Sequence, residues 1–200
     1  MKAGLYILIF VLSYLLGSMP SAYIIVKWAK GLDIRKFGSG NVGSTNTGRA
    51  AGVGYAVMVF FIDTAKGFLP ALIGFLIAGP LVGMAAGIFA FIGHLFPVFL
   101  SFKGGKGVAT GIGIAFALVP WLAAITLASW GALTVVFGYV SLASCTATLL
   151  LCLMVIIAGK PWPYIVGFLL LFVIVCWKHR SNFRHIKQGT ESRIFRRKNY

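Results

Sequence analysis

Apolar residues fill most of the chain in segments long enough to form helices, and polar residues gather in a few short stretches between them. The apolar segments lie at 4–26, 51–78, 80–98, 107–127, 129–139, 142–158 and 161–177. Most of them approach the ~20 residues that a helix needs to cross a bilayer. The stretch 129–158 is long for one span and short for two, and the small, polar patch at 138–144 divides it. The pattern predicts an all-α polytopic membrane protein with about seven transmembrane helices, with five or six as the alternatives.

The composition favours the same class. Of the 200 residues, 60% are hydrophobic and 10% are charged, and the mean hydropathy is +0.95. A soluble domain carries about a quarter charged residues, so this chain has too little polar surface to cover a water-soluble globule. Cys145, Cys152 and Cys176 lie inside apolar segments, and their spacing matches neither a disulfide framework nor a metal site.

The charges predict the orientation in the membrane. There are 18 basic residues and three acids. Most of the basic residues lie in three places: Lys27, Lys30, Arg35, Lys36 and Arg49; Lys103 and Lys106; and Lys178, Arg180, Arg184, Lys187, Arg193, Arg196, Arg197 and Lys198. Because basic residues collect on the cytoplasmic side of a membrane, these stretches are predicted to face the cytoplasm, with the N-terminus outside. An odd number of spans then places the C-terminus in the cytoplasm.

The first apolar segment is predicted to be a retained span. Only Lys2 precedes it, while several basic residues follow it, which is the reverse of the polarity of a signal peptide. The prediction for the whole chain is a single integral-membrane domain at 1–192 followed by a basic cytoplasmic tail at 193–200.

The first polar stretch, FGSGNVGSTNTGR at 37–49, has the letters of a dinucleotide-binding fingerprint at Gly38, Gly40 and Gly43. That fingerprint requires a strand before the glycines and a helix after them within one βαβ unit. Here the flanks are membrane-length apolar segments, and Asp63, twenty residues beyond the last glycine, falls inside the second segment. A nucleotide site is therefore not expected.

The same stretch has the composition of an anion site. Glycines let successive backbone N–H groups point into one concavity that binds anions. The hydroxyl and amide side chains add donors, and Arg49 adds a planar fork that suits phosphate. A helix starting near residue 46 would contribute its N-terminal dipole. A flexible linker is the alternative, but a linker rarely needs two asparagines and a terminal arginine.

A second stretch, GHLFPVFLSFKGGKGVATG at 93–111, interleaves lysines with glycines: Lys103, Gly104, Gly105, Lys106 and Gly107. The Walker A pattern is absent. KGGKG leads directly into an apolar segment, which would place glycine amides and a lysine at a helix N-terminus. An anion site is favoured over two lysines snorkelling at the membrane edge, since snorkelling leaves the glycines unexplained. His94 is interpreted as structural.

Three further polar features are interpreted from their spacing. His179 and Asn182, in WKHRSNFRHIKQGTESRI at 177–194, are three apart and are expected on one helical face. Glu191 is interpreted as a structural ion-pair partner. Asp63 and Lys66, also three apart, form an intramembrane pair, a functional candidate in general, for which mutual neutralisation is the favoured explanation.

Three stretches in order, GSGNVGSTNTGR, GHLFPVFLSFKGGKGVATG and HRSNFRHIKQGTE, resemble the three motifs of the bacterial acyl-phosphate:glycerol-3-phosphate acyltransferases, the PlsY family. The likeness extends from residue 1 to about 192. Ser44 stands where alanine is usual and Phe183 where isoleucine is common, and neither difference removes a polar group. The H-x-x-x-x-D motif of the other acyltransferases is missing, because Phe99, Arg184 and Thr190 stand five residues after the three histidines.

The resemblance implies an enzyme of the bacterial inner membrane with a cytoplasmic active site. It would transfer a fatty acyl group from acyl phosphate to glycerol 3-phosphate, giving lysophosphatidic acid and inorganic phosphate in phospholipid synthesis. The resemblance implies no metal, no nucleotide cofactor and no nucleic acid. An anion transporter with broken helices aimed at a phosphate is the alternative from another class, and a purely structural scaffold is a third. The oligomeric state, with a monomer among the options, stays open.

The resemblance also implies residue roles. The residues expected to bind acyl phosphate are Gly38, Ser39, Gly40, Asn41, Val42, Gly43, Ser44, Thr45 and Asn46. Those expected to bind glycerol 3-phosphate are Arg49, Lys103, Gly104, Gly105, Lys106, Ser141, Ser144, His179 and Asn182. The catalytic set is Ser39, Arg49, Lys106, His179 and Asn182. The attacking hydroxyl would lose its proton to the donor's own phosphate or to His179.

Overall fold

The computed structural model describes residues 2–194, which form α-helices and short 3-10 turns without a β-strand. The helices of this part are α1 (Lys2–Ser18), α2 (Ser21–Lys30), α3 (Ser44–Ala51), α4 (Val53–Leu95), α5 (Val108–Leu118), α6 (Pro120–Phe137), α7 (Val140–Ile157), α8 (Trp162–Lys178) and α9 (Arg180–Lys187). Two 3-10 turns lie at Ile34–Lys36 and Val98–Leu100. The predicted all-α architecture is confirmed. The basic residues predicted for the tail at Arg196, Arg197 and Lys198 lie outside the described residues.

The chain divides into two compact units, Met1–Leu118 and Val119–Tyr200. In the first unit α4 packs against α1, α3 and α5, and in the second α7 packs against α6, α8 and α9. The single domain at 1–192 stays a prediction.

Four helical segments of the described chain are long and apolar enough to cross a membrane: Lys2–Lys30, Val53–Leu100, Pro120–Phe137 and Val140–Ile157. α8 and α9, bent by 47° at their junction, make a fifth if they are taken as one span. The multi-pass membrane class is confirmed, while the count of seven stays a prediction.

Two of the predicted helix breaks occur as expected. Inside α4, Ala78 and Gly79 leave the helical region, with Gly79 at φ 76°, just before Pro80, because a proline cannot supply the N–H that a continuous helix needs. Gly138, at φ 73°, ends α6 by donating its N–H to the carbonyl of Thr134. Glycine adopts this left-handed conformation without a side-chain clash, so the patch at 138–144 opens with a helix end, as predicted.

Two other predicted boundaries are wrong. The segment predicted to run to 127 ends at Leu118, and α6 then continues through the predicted break at 128 as far as Phe137. The first segment, predicted as continuous over 4–26, is broken at Met19 and Pro20. In both places a proline stands at the start of the next helix, and it disfavours helical geometry in the residue before it.

Candidate functional site

In the first unit, residues 37–46, hereafter the glycine loop, are shaped by one buried amide. Asn46 is fully buried. Its Nδ2 donates to the carbonyl oxygens of Phe37 at 2.9 Å and Asn41 at 3.0 Å, with a longer contact to Ile34, and its Oδ1 accepts the N–H of Ser39. Each polar atom of the Asn46 side chain thus bonds to the backbone around it. Among the predicted phosphate-binding residues, Asn46 therefore has a structural role that the sequence did not indicate.

Two glycines make this arrangement possible. Gly38 and Gly40 have φ angles of 57° and 69°, a region that side chains disfavour. A Cβ at Gly38 would also collide with Asn46 Oδ1, and at Gly40 it would stand 3.1 Å from the carbonyl oxygen of Arg35. The glycine loop therefore curls tightly around Asn46.

The glycine loop leads directly into the N-terminus of α3. α3 begins at Ser44, two residues before the predicted start. The hydroxyl of Thr47 donates a hydrogen bond to the carbonyl of Gly43. The backbone N–H groups of Val42, Gly43, Ser44 and Thr45 have no acceptor within residues 2–194. Successive unpaired N–H groups at a helix N-terminus attract anions, and the helix dipole adds to that attraction.

Arg49 lies over the glycine loop. It is an exposed residue in the last turn of α3, and its Cδ would stand 3.7 Å from a Cβ at Gly38. The nearby Arg35 differs, because its guanidinium already donates to both carboxylate oxygens of Asp33. That hydrogen bonding lowers the pKa of the Asp33 carboxyl to about 2. Of these two arginines, Arg35 is paired with a carboxylate, whereas Arg49 has no acidic partner within residues 2–194.

The second predicted loop, residues 103–107, hereafter the lysine loop, packs on the end of α4. The N–H groups of Gly104 and Gly105 donate to the carbonyl oxygens of Leu95 and His94, each at 3.1 Å. A Cβ at Gly105 would collide with His94 Nε2, so the loop lies directly against the imidazole. Lys103 is exposed, Lys106 is half-buried, and α5 begins at Val108. The predicted sequence of glycines, lysine and helix start is confirmed.

The intramembrane pair is also present. Lys66 Nζ lies 2.7 Å from Asp63 Oδ1, and both side chains are almost fully buried. Two groups that the sequence did not connect with them are close: the Ser21 hydroxyl, 2.6 Å from Asp63 Oδ1, and His94 Nδ1, 3.8 Å from the same oxygen. The pair is therefore part of a larger polar cluster in the first unit.

In the second unit, the two predicted serines differ in their partners. Both are buried on α7. Ser144 Oγ accepts the indole N–H of Trp130 at 3.1 Å, a pairing between α6 and α7 that has no sequence signature. Ser141 Oγ has no hydrogen-bond partner within the described residues. A buried hydroxyl without a partner is costly unless a ligand or water meets it.

His179 lies at the bend between α8 and α9. It is the C-cap of α8 and the N-cap of α9, where its carbonyl accepts the N–H of Phe183, and Asn182 follows in the first turn of α9. Their common helical face stays a prediction. His179 is buried, and its Nδ1 lies 2.9 Å from the carbonyl oxygen of Val175. Because a carbonyl can only accept, the hydrogen lies on Nδ1, and Nε2 of the neutral ring is an acceptor.

The acid of the C-terminal segment holds Asn182. Asn182 Nδ2 donates to Glu191 Oε1 at 2.7 Å. Within residues 2–194 the partner of Glu191 is thus an amide, and Glu191 forms no ion pair with a cation of that part of the chain. The carboxylate fixes the side chain of Asn182 with its amide nitrogen turned towards Glu191.

The C-terminal segment of the described chain contacts the turn between α6 and α7. Arg193 Nε donates to Tyr139 Oη at 3.1 Å, and the Ile194 N–H donates to the carbonyl of Gly138. The turn that precedes Ser141 and the segment that follows Asn182 therefore meet at one end of the second unit.

Comparison with known proteins gives one consistent match. Residues 7–189 match the family model described as glycerol-3-phosphate acyltransferase. The glycerol-3-phosphate acyltransferase of Syntrophomonas wolfei is 44% identical, covering 92% of this chain and 94% of its own length. That of Aquifex aeolicus is 43% identical, covering 97% of this chain and 100% of its own.

Solved structures agree with the sequence matches. The crystal structure of PlsY (YgiH), an integral membrane glycerol 3-phosphate acyltransferase, in its glycerol 3-phosphate form, is 40% identical and matches with a TM-score of 0.92 over 95% of this chain and 96% of that one. The lysophosphatidic acid form matches with a TM-score of 0.90, covering 95% of each chain.

Proposed function

Since the chain belongs to the glycerol-3-phosphate acyltransferase family, we propose that this integral-membrane acyltransferase takes its acyl group from an acyl phosphate and releases lysophosphatidic acid and inorganic phosphate. The observation that supports an acyl phosphate as donor is the row of unpaired N–H groups at 42–45, at the start of α3. An acyl phosphate carries a phosphoryl group directly on its reacting carbonyl, and such a row of donors suits that group. An acyl thioester has no phosphate at this position.

The proposed reaction is a direct acyl transfer. A hydroxyl oxygen of glycerol 3-phosphate attacks the carbonyl carbon of the acyl phosphate, a new ester C–O bond forms, and the C–O bond to the phosphate breaks. The phosphate leaves with the electron pair and takes up the proton of the hydroxyl. Because the mixed anhydride is already activated, the protein has mainly to orient two anions and stabilise the developing charge.

We assign the following roles within the first unit as part of the proposal. The glycine loop and the start of α3 would hold the phosphate of the donor through backbone N–H groups, while Asn46 keeps the loop in shape. The exposed fork of Arg49 and the lysines of the lysine loop would attract the phosphate of glycerol 3-phosphate. In the second unit, the unpaired Ser141 hydroxyl supports the proposal that Ser141, with Ser144, His179 and Asn182, contacts glycerol 3-phosphate.

The donor is tested by offering purified, detergent-solubilised protein a long-chain acyl phosphate or the matching acyl-CoA, each with glycerol 3-phosphate. We expect turnover with acyl phosphate only. Turnover with acyl-CoA and none with acyl phosphate would overturn the proposed donor.

Metal and nucleotide requirements form a separate prediction. The oxygen donors that magnesium prefers are carboxylates, and the whole chain has three acids, of which Asp33 and Asp63 are engaged by cations and Glu191 by Asn182. We expect the acyl phosphate reaction to keep its full rate in EDTA and to gain nothing from ATP or NAD. The measurement is the initial rate before and after chelation, and a rate that EDTA abolishes and magnesium restores would contradict the mechanism.

The proposed topology places the glycine loop and the C-terminal segment in the cytoplasm. We propose seven spans in the bacterial inner membrane, the N-terminus outside and the C-terminus inside. Trp121 and Trp162, at the starts of α6 and α8, are strongly exposed, which suits a membrane interface.

Cysteine labelling tests this topology. In a variant without native cysteines, Ser39→Cys and Ser192→Cys are expected to resist a membrane-impermeant thiol reagent in intact cells and to react once the membrane is opened. Both positions are exposed, so accessibility to the reagent does not limit the reaction. Lys2→Cys is the control that should react in intact cells. Reaction of either serine position from outside would reverse the orientation.

A further inference from the structure

A buried polar cluster in the first unit joins three parts of the chain. Asp63 Oδ1 accepts hydrogen bonds from Lys66 Nζ at 2.7 Å and from Ser21 Oγ at 2.6 Å. Lys66 Nζ also donates to Ser21 Oγ at 2.9 Å and to the carbonyl oxygen of Met19. All three hydrogens of the ammonium group thus have an acceptor. The Met19 carbonyl lies at the break between α1 and α2, where the helix ladder is interrupted.

Packing alone does not account for two buried charges at this place. Removing an ion pair from water costs several kcal/mol for each ion, and apolar side chains of similar size often hold helices together equally well. Asp63 is 1% exposed and Lys66 is 3% exposed. The pair is therefore better explained by a neighbouring group that responds to a charge.

That neighbour is His94. Its Nδ1 lies 3.8 Å from Asp63 Oδ1, and its side chain is 8% exposed. The contact is longer than a hydrogen bond, so the carboxylate acts on the imidazole through its charge and its packing, and not through a shared hydrogen. Asp63 itself is held from two sides by Lys66 and Ser21, so its carboxylate is a rigid reference point for the ring.

The other edge of the same imidazole supports the lysine loop. Gly105 lies so close to His94 Nε2 that a Cβ would collide with it, and the Gly105 N–H donates to the His94 carbonyl. Gly104 is fixed in the same way to Leu95. A change in the tilt of the imidazole would therefore displace the backbone between Lys103 and Lys106.

We propose that Asp63 is a positioning residue for glycerol 3-phosphate, acting through His94 on the lysine loop, with Lys66 and Ser21 holding the carboxylate in place. The inference rests on the proposed function in so far as the lysine loop binds glycerol 3-phosphate. Asp63 touches neither substrate in this account, and its effect is on the shape of the loop that does.

Two variants and a control test the proposal. Asp63→Asn keeps the shape of the side chain but removes its charge, and Asp63→Asn/Lys66→Gln removes both charges so that none is left buried alone. Thr126→Val is the matched control, because Thr126 is buried and loses one hydrogen bond, to the carbonyl of Leu122. For each purified protein, equilibrium binding of radiolabelled glycerol 3-phosphate is measured without donor, followed by the KM for both substrates.

We expect both Asp63 variants to raise the Kd for glycerol 3-phosphate about tenfold, with the KM for acyl phosphate within about twofold of wild type. Thr126→Val should change neither constant. If Asp63→Asn alone does not fold, the doubly neutral variant decides the question. A doubly neutral variant that binds glycerol 3-phosphate as wild type does would mean that the pair only neutralises itself, and the proposal would be overturned.

The binding measurement without donor distinguishes a failure of this inference from a failure of the proposed donor. If the wild-type protein binds glycerol 3-phosphate but does not turn over acyl phosphate, the proposed donor is contradicted. The effect of Asp63→Asn on the Kd for glycerol 3-phosphate can still be measured in that case. Wild-type turnover with an unchanged Kd in both Asp63 variants would contradict the positioning role and leave the donor supported.

Discussion

Arg49→Lys is expected to lower kcat/KM about ten- to a hundredfold although it keeps the positive charge. Arg49 lies next to the glycine loop, with its Cδ 3.7 Å from the place of a Cβ at Gly38, and its guanidinium is a planar fork. A lysine ammonium cannot form the two parallel hydrogen bonds of that fork with a phosphate. One lost charge-assisted hydrogen bond is worth roughly 1.5–3 kcal/mol, which corresponds to the expected loss in rate. The measurement is the initial rate as a function of each substrate.

Arg35→Lys is the matched control, because it makes the same chemical change in the same polar stretch. Arg35 is exposed and bonded to Asp33, and surface ion pairs of this kind contribute little, so we expect activity close to that of wild type. Lys198→Ala, outside the described residues, should likewise have almost no effect. Equal losses at Arg49 and Arg35 would contradict a specific role for the fork of Arg49, and no loss at either would mean that these cations serve only topology, for which Lys and Arg count alike.

His179→Gln is expected to retain measurable turnover and to keep the decline in rate at acidic pH. The reason is the proposed fate of the proton, which passes from the hydroxyl to the phosphate of the donor. The second pKa of a phosphate group lies near ~6, so protonation of the substrate produces that decline with or without the histidine. A glutamine amide can still donate a hydrogen bond to a substrate oxygen.

The geometry of His179 makes the pH profile informative on the alkaline side as well. With Nδ1 donating to Val175, Nε2 can donate a hydrogen bond only when the ring is protonated. If His179 donates a hydrogen bond to a substrate oxygen, the rate of the wild-type enzyme should fall as the pH rises past the range around ~6.5 in which an imidazole titrates. His179→Gln should lack this alkaline decline, because an amide donates at every pH in that range.

His185→Gln serves as the control for the pH profiles. His185 is an exposed residue of α9 whose Nδ1 contacts the Thr190 hydroxyl, and its replacement should leave both the rate and the profile unchanged. A His179→Gln protein that folds and binds glycerol 3-phosphate normally, yet loses both turnover and the acidic decline, would make His179 the base.

Local signals in the sequence predicted the parts of the fold that depend on neighbouring residues. Gly79 with Pro80, and Gly138, end helices where they stand, because their effects on backbone geometry are local. Pro20 and Pro120 carry the same kind of signal, but the chain stays hydrophobic across both of them, so the hydrophobic pattern alone predicts unbroken helices there. The composition of the glycine loop likewise indicated an anion site, and the unpaired N–H groups are consistent with it.

Long-range pairings could not be predicted in this way. Ser21 and Asp63 are 42 residues apart, and Trp130 and Ser144 are 14 apart, so neither pair shares a helix whose periodicity would reveal it. The role of Asn46 was hidden for another reason. An asparagine in a glycine-rich stretch suits a ligand contact as well as a bond to the loop backbone, and only the arrangement of the surrounding carbonyls distinguishes the two.

The stoichiometry of one reaction shows whether acyl transfer to glycerol 3-phosphate and phosphate release are a single event. Purified protein is mixed with a long-chain acyl phosphate and radiolabelled glycerol 3-phosphate, and inorganic phosphate and labelled lysophosphatidic acid are measured at the same time points. Direct acyl transfer predicts equal amounts of the two products at each time and no phosphate release when glycerol 3-phosphate is omitted. Phosphate release that does not depend on glycerol 3-phosphate, or labelled lipid formed without phosphate, would contradict it.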